Sequence, residues 1–275
     1  MRFGFIGLGD LGAAMAEVIG DPLTVFDVDR AAMEPFRDRA RLAESVAEVG
    51  RESTLIGLCV RHDDDVRDVV AGPGGLLSAA APGTVIAVHA TVRPTTITEL
   101  AELAERRGVS LFDAAVSGGP HVARRRQQSC IVGGDAAVIE RARPLLESFS
   151  SSIVHAGALG QGMVLKFANN LTTYMAMAAA VESYRLVEAA GIDPALLTRI
   201  MTANGNLTET MRLFVDYRSA NARELTEGGP FRDVQAAVAG LAEKDLGLAV
   251  EAGNHLGVNL LAAAALRGVF RGVVL

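Results

Sequence analysis

The sequence predicts an α/β domain with a mostly parallel sheet, followed by an all-helical C-terminal domain joined to it by a long interdomain helix. Three observations carry this. Apolar runs of strand length recur at residues 3–6, 23–26, 55–60, 85–88, 110–112 and 130–132, with helix-like stretches between several of them. Such alternation builds parallel sheets through crossover helices. The runs are apolar and rich in β-formers, the pattern of strands buried on both faces. Beyond Ile153-Val154 the texture changes, and one helical pattern without Pro runs from about 162 to 190, roughly 40 Å at 1.5 Å per residue.

No further strand is convincing after that helix. Gly191 ends it, and Asp193 with Pro194 restarts a helix as N-cap and first helical residue. Glu227-Gly228-Gly229-Pro230 is a second break, ahead of a helix that carries Lys244. The domain boundary is therefore placed near residue 157, giving domains 1–157 and 158–275.

Composition narrows the function classes. The net charge of −6 provides no overall positive field for polyphosphate backbones or anionic membranes, so neither nucleic acid nor a membrane is an expected partner. Arg124-Arg125-Arg126 is the one dense basic run and reads as a solvated turn. Cys59 and Cys130 both fall in apolar, strand-like stretches and read as buried small hydrophobes in a reducing compartment. The N-terminal residues show no charged segment before an apolar stretch, and no apolar run of about 18 residues occurs. The expected location is cytoplasmic. His89 reads equally as a structural histidine or a ligand, and with five His and no carboxylates clustered on a helix face no metal site is expected.

Gly7-Leu8-Gly9-Asp10-Leu11-Gly12 follows the first strand and opens a helix. In that context glycines permit a tight turn, close approach of backbone to a pyrophosphate and tight helix-to-strand packing, while the helix N-terminus offers N–H donors to phosphates. Asp27 ends the second strand about 20 positions after the first glycine, where a carboxylate accepts from both adenosine ribose hydroxyls and repels a 2′-phosphate. Asp29 is assigned to capping the next helix. The first domain is thus read as a Rossmann NAD(P)-binding domain, with NAD preferred over NADP; Arg30 could soften that preference.

At this point four segments, in order along nearly the whole chain, resemble the β-hydroxyacid dehydrogenase (3-hydroxyisobutyrate dehydrogenase-like) family. Residues 4–12 look like its cofactor signature, and Asp113-Ala114-Ala115-Val116-Ser117-Gly118-Gly119 is similar to its substrate-binding motif. Gly160-Gln161-Gly162-Met163-Val164-Leu165-Lys166-Phe167-Ala168-Asn169-Asn170 resembles its catalytic motif, and Lys244-Asp245-Leu246-Gly247-Leu248-Ala249 its C-terminal element. The resemblance implies that Ser117, Gly118 and Gly119 hold the substrate carboxylate, that Lys166 and Asn170 are catalytic and substrate-binding, and that Lys244 lies near cofactor and substrate. It also implies a homodimer or homotetramer acting on a small carboxylate-bearing hydroxyacid or semialdehyde.

The residues fit these roles. Lys166 and Asn170 are four apart on one helix face and can address one hydroxyl together. The ordinary alternative is an exposed lysine, but the neighbours Val164, Leu165, Phe167 and Ala168 are apolar, and a partly desolvated lysine with a lowered pKa can transfer protons near neutral pH. Lys244 is expected to lower the Lys166 pKa further by repulsion. Val60 and Thr91, at strand ends, are expected to touch the cofactor. After Gly119 the chain departs from the family with Pro120-His121-Val122 and the arginine run, so the pocket edge differs, and His121 or Arg124 could read a second polar group. Two alternatives are an imine reductase, against which Lys166 argues, and a non-catalytic NAD-binding scaffold, against which both Lys166 and Asn170 argue.

Overall fold

In the computed structural model, which describes residues 1–275, the first half of the chain lays down β1 (Phe3–Ile6), α1 (Asp10–Ala16), β2 (Leu23–Phe26), α2 (Arg30–Met33), β3 (Arg41–Leu42), α3 (Val46–Glu52) and β4 (Leu55–Leu58). It continues with α4 (Asp63–Ala71), β5 (Val85–Val88), α5 (Pro94–Glu105), β6 (Ser110–Ser117), α6 (Pro120–Arg124), β7 (Gln128–Gly133), α7 (Ala136–Leu146) and β8 (Ser150–Gly157). The strands form one sheet in the order β3-β2-β1-β4-β5-β6-β7-β8. All neighbours from β3 to β6 are parallel.

Every apolar run becomes a strand, and two strands lie outside those runs. β3 is two residues long, and β8 opens on three serines and is largely exposed. β7 pairs antiparallel with β6, with Ala115 opposite Ile131, and β8 runs parallel to β7. The connection from Ser117 to Gln128 is shorter than the dozen or so residues a parallel crossover needs, so the chain must turn back on itself.

The chain divides into two compact units, Met1–Lys166 and Phe167–Leu275. In the first, Phe5, Val25, Phe112 and Val132 from the sheet pack with Ala14 and Met15 of α1 and Ile139, Ala142 and Leu145 of α7. Each large side chain so buried stabilises the fold by about 1.5–3 kcal/mol. The second unit is entirely helical. Helix α8 (Gln161–Ala189) enters it and is followed by α9 (Pro194–Ala203), α10 (Glu209–Ala220), α11 (Ala222–Glu227), α12 (Pro230–His255) and α13 (Leu261–Val274). Asp193 caps α9 by accepting from the Ala195 N–H, with Pro194 in its first turn. On α8, Tyr174, Met177, Ala178 and Val181 recur at helical spacing and pack with Ala239, Ala242 and Leu246 of α12 and Phe270 of α13. Ala180 packs with Met201, Met211 and Val215. No helix is long and apolar enough to cross a membrane.

His89, just past β5, is enclosed in the first unit at 3% exposure. Its Nδ1 lies 2.8 Å from the Ala114 carbonyl oxygen, and its ring stacks on Phe5 and meets Phe149 edge-on. That is a structural histidine. Burial pushes its imidazole down to about 4, against a smaller upward pull from Ala114. Because the folded value lies below the unfolded 6.5, the unfolded chain takes up the proton first. The contribution of His89 to stability is therefore full above pH 6.5 and is lost as pH falls toward 4. Relative to a His89→Gln variant, the parent should lose roughly 3 kcal/mol between pH 7 and pH 4, measured by urea unfolding at each pH. A constant difference between the two proteins would remove His89 as the cause.

Candidate active site

The first unit collects five of the expected residues along the carboxyl edge of its parallel strands. Gly7 follows β1, Asp27 follows β2, Val60 lies just past β4, Thr91 just past β5, and Ser117 ends β6. β1 lies between β2 and β4, so the chain changes direction across the sheet there, and open α/β sheets bind ligands at that crevice.

The three glycines of the first loop do different things. Gly7 has φ +90°, and a Cβ there would strike the Cys59 carbonyl and stand 3.2 Å from Val60 Cγ1, so Val60 borders the loop. A Cβ on Gly12 would collide with the Gly7 carbonyl, which fixes how closely α1 packs on the turn. Gly9 meets nothing within 4 Å. The fold needs the first and third glycines; the space over Gly9 suits an approaching pyrophosphate. Gly9 is also the N-cap of α1 and gives no side-chain bond to that helix, whose first turn contains exposed Asp10 and half-buried Leu11. These residues fit a dinucleotide phosphate.

Asp27 ties the loop to the next strand. One carboxylate oxygen accepts the Leu8 N–H at 2.6 Å and the other the Asp29 N–H at 2.8 Å. Asp29 caps α2 by accepting from the Ala31 N–H at 2.9 Å. At the end of β6, Ser117 pairs with Ser129 of β7. Gly118 has φ +113°, its carbonyl accepts from Gln128 Nε2 at 2.9 Å, and Gly119 precedes α6. The guanidinium of Arg124 is committed to Glu17, with Nε 2.7 Å and Nη2 3.1 Å from its carboxylate. Reading a substrate group with Arg124 would require breaking that pair.

Lys166 is 8% exposed on α8. Its apolar sequence neighbours do not all surround it as expected: Phe167 is buried and Val164 half-buried, but Leu165 and Ala168 are exposed. The buried stripe instead reads Met163, Lys166, Phe167, Asn170 and Tyr174, because contacts on a helix follow the three- and four-residue spacing. The helix start is held by Asp113 of β6, whose carboxylate accepts N–H groups from Gly160 and Met163. Burial pushes that carboxyl up to about 6, against the backbone N–H groups that pull it down.

In the second unit Asn170 belongs to a cluster centred on Asp245, which is 2% exposed. Asn170 Nδ2 donates to Asp245 Oδ2 at 2.7 Å, and the Tyr174 hydroxyl donates to the same oxygen at 3.1 Å. Lys244 Nζ lies 3.2 Å from Asp245 Oδ1. Asn170 Oδ1 accepts from Asn169 Nδ2 at 3.3 Å, so its amide orientation is set. Burial, with the Asp245 charge second, raises the Tyr174 phenol. The ion pair compensates the Lys244 charge locally. Asp245 and Tyr174 were not singled out from sequence; the spacing of Lys166, Asn170 and Tyr174 by fours is the signal that could have found the tyrosine.

Comparison with known proteins agrees with this architecture. Residues 2–157 match the NAD-binding domain of 6-phosphogluconate dehydrogenase, and residues 160–274 match the NAD-binding domain of NADP-dependent 3-hydroxyisobutyrate dehydrogenase. An uncharacterized oxidoreductase of Mycobacterium tuberculosis is 36% identical over 99% of this chain and 93% of its own length. A 3-hydroxyisobutyrate dehydrogenase of Pseudomonas aeruginosa is 32% identical over 90% of this chain and 83% of its own. Among solved structures, a Mycobacterium tuberculosis 3-hydroxyisobutyrate dehydrogenase with L-serine superposes with a TM-score of 0.81 at 26% identity, covering 99% and 94% of the two chains. An imine reductase of Streptomyces aurantiacus, at 20% identity and a TM-score of 0.69 over 99% and 94%, shares the fold. Fold and matches together define an oxidoreductase with an NAD(P)-binding domain. The chain belongs to the β-hydroxyacid dehydrogenase family.

The Asp245 cluster makes a direct prediction. Asp245→Ala leaves the Asn170 amide and the Tyr174 hydroxyl without their acceptor, and should cost about 3 kcal/mol in denaturant unfolding. A loss below the error of the extrapolation would mean that the cluster is hydrated in solution.

Proposed function

We propose that this protein is an NAD-dependent dehydrogenase that reversibly oxidises a small β-hydroxyacid, of the 3-hydroxyisobutyrate kind, to the semialdehyde or ketoacid. One observation carries the reading: a lysine only 8% exposed, one helical turn before a buried asparagine whose amide is already oriented. Lysine is ordinarily an exposed residue, so burial to this extent sets Lys166 apart from a side chain that only solvates a helix face. The names of the relatives, which act on 3-hydroxyisobutyrate or were solved with L-serine, support the substrate class.

When bound, the nicotinamide supplies the acceptor or donor of hydride. Neutral Lys166 takes the hydroxyl proton in oxidation, and its ammonium returns a proton to the oxygen in reduction. Asn170 orients that oxygen, and Ser117 with the Gly118 and Gly119 amides holds the carboxylate. The loop from Gly7 to Gly12 takes the pyrophosphate, Asp27 takes the ribose hydroxyls and favours NAD over NADP, and Val60 and Thr91 line the cofactor. Lys244 binds cofactor or substrate, with its charge tempered by Asp245. We place the enzyme in the cytoplasm as a homodimer or homotetramer, to be checked by fractionation and by mass in solution.

A panel of hydroxyacids and of imines, followed at the nicotinamide absorbance, tests the reaction class: turnover of imines alone would replace this reading by an imine reductase, and no turnover with NAD bound by a scaffold. Asp27→Asn should weaken NAD binding and improve tolerance of NADP in cofactor titrations; an unchanged preference would confine Asp27 to bracing the Leu8 loop. Lys166→Ala should lose about 100- to 10,000-fold in turnover with NAD affinity little changed. Lys166→Arg should fail to rescue it, since guanidinium keeps its proton near neutral pH. Turnover of the Arg variant near the parent's would mean that Lys166 binds rather than transfers protons.

A further inference from the structure

Two motifs that stand 47 residues apart in sequence meet at one carboxylate. Asp113 lies inside β6 at 0% exposure, between Val88 of β5 and Gly133 of β7. Its Oδ1 accepts the Gly160 N–H at 2.8 Å and its Oδ2 the Met163 N–H at 2.9 Å. The surrounding glycines exist for this approach. A Cβ on Gly162 would stand 2.5 Å from Asp113 Oδ2 and 2.8 Å from the Gly133 nitrogen, and one on Gly133 would stand 2.7 Å from the Gly162 nitrogen. Any side chain at either position would push the helix start off the sheet.

Along a strand, alternate residues share a face, so Asp113, Ala115 and Ser117 project to the same side of β6. The first turn of α8 is bound on that side, and Lys166 follows Met163 by three residues, about 4.5 Å along the helix. We infer that Asp113 is a positioning residue, whose buried carboxylate anchors the first turn of α8 to β6 and thereby sets Lys166 against Ser117 at the end of the same strand. The inference rests on reading Lys166 as the acid and base. An asparagine cannot substitute, because it offers one acceptor to two N–H groups and turns its own N–H toward the second. The helix N-terminus also favours a negative charge.

The test compares the full-length parent with Asp113→Asn, Gly162→Ala and Lys166→Ala, each saturated with NAD, using 3-hydroxyisobutyrate as the probe acid. Hydrogen exchange of residues 158–170 reads the anchor without catalysis. In Asp113→Asn the amides of Gly160 and Met163 should exchange about tenfold faster or more, as loss of a charge-assisted hydrogen bond requires. Turnover should fall about 100-fold, the effect of an ångström-scale misplacement, while NAD titration and KM change little. The solvent isotope effect on kcat should rise, because proton transfer becomes limiting; a mere loss of folded protein lowers kcat and leaves that effect unchanged. Gly162→Ala strains the same anchor from the helix side and should reproduce the pattern, and it decides alone if Asp113→Asn does not fold. Exchange like the parent's, or turnover lost only in proportion to the folded fraction with an unchanged isotope effect, would overturn the inference. Full turnover in Lys166→Ala would instead sink the acid and base reading, and the exchange result would then decide the anchor by itself.

Discussion

A buried carboxylate is costly unless donors are built around it, and the first unit is arranged to provide them at Asp113. An unpaired charge in that position would cost several kcal/mol. The N–H groups of Gly160 and Met163 come from a helix terminus, where no intrahelical partner exists for them, so one contact satisfies both the carboxylate and the helix. The requirement spreads outward. Gly133 and Gly162 must stay without side chains, and β7 must return beside β6 in the register that sets Gly133 opposite Asp113. The antiparallel β7 is therefore part of how the long helix begins.

At the edge of the parallel strands, internal packing constrains only part of one short loop. Gly7 and Gly12 answer to contacts inside the protein, whereas Gly9 answers to none. Asp27 stands at the junction, since each of its oxygens already holds a backbone N–H, from Leu8 and from Asp29. Carboxylate oxygens can accept more than one bond each, so the same side chain braces the loop and retains acceptor capacity toward a ribose.

The second unit has a comparable polar centre. Asp245 gathers Asn170, Tyr174 and Lys244 beside an apolar cluster to which Tyr174 and Met177 of α8 and Ala242 and Leu246 of α12 belong. A buried polar group of this kind fixes geometry because each alternative leaves donors unsatisfied. Here the geometry fixed is the rotation of the Asn170 amide.

What could be read from sequence and what could not are separated by the distance over which the information acts. The apolar runs, the unbroken pattern of α8, the Asp193-Pro194 restart and the glycine loop were legible because neighbouring residues carry each signal: period, cap and turn chemistry are local. β3 and β8 escaped because an edge strand need not be apolar, and β8 is half polar. The direction of β7 followed from the short link after Ser117 but was not drawn from the runs themselves. Lys166 was found as a motif residue, yet the environment given to it was that of its sequence neighbours, and the helix turned Leu165 and Ala168 to solvent. Asp113, Asp245 and the pairing of Arg124 with Glu17 join residues 47, 75 and 107 positions apart. The sequence by itself determined which elements form and which residue types could do the chemistry. Tertiary structure alone decided which carboxylate meets which helix, because a charge is placed by the donors that surround it after folding, and no local pattern names them.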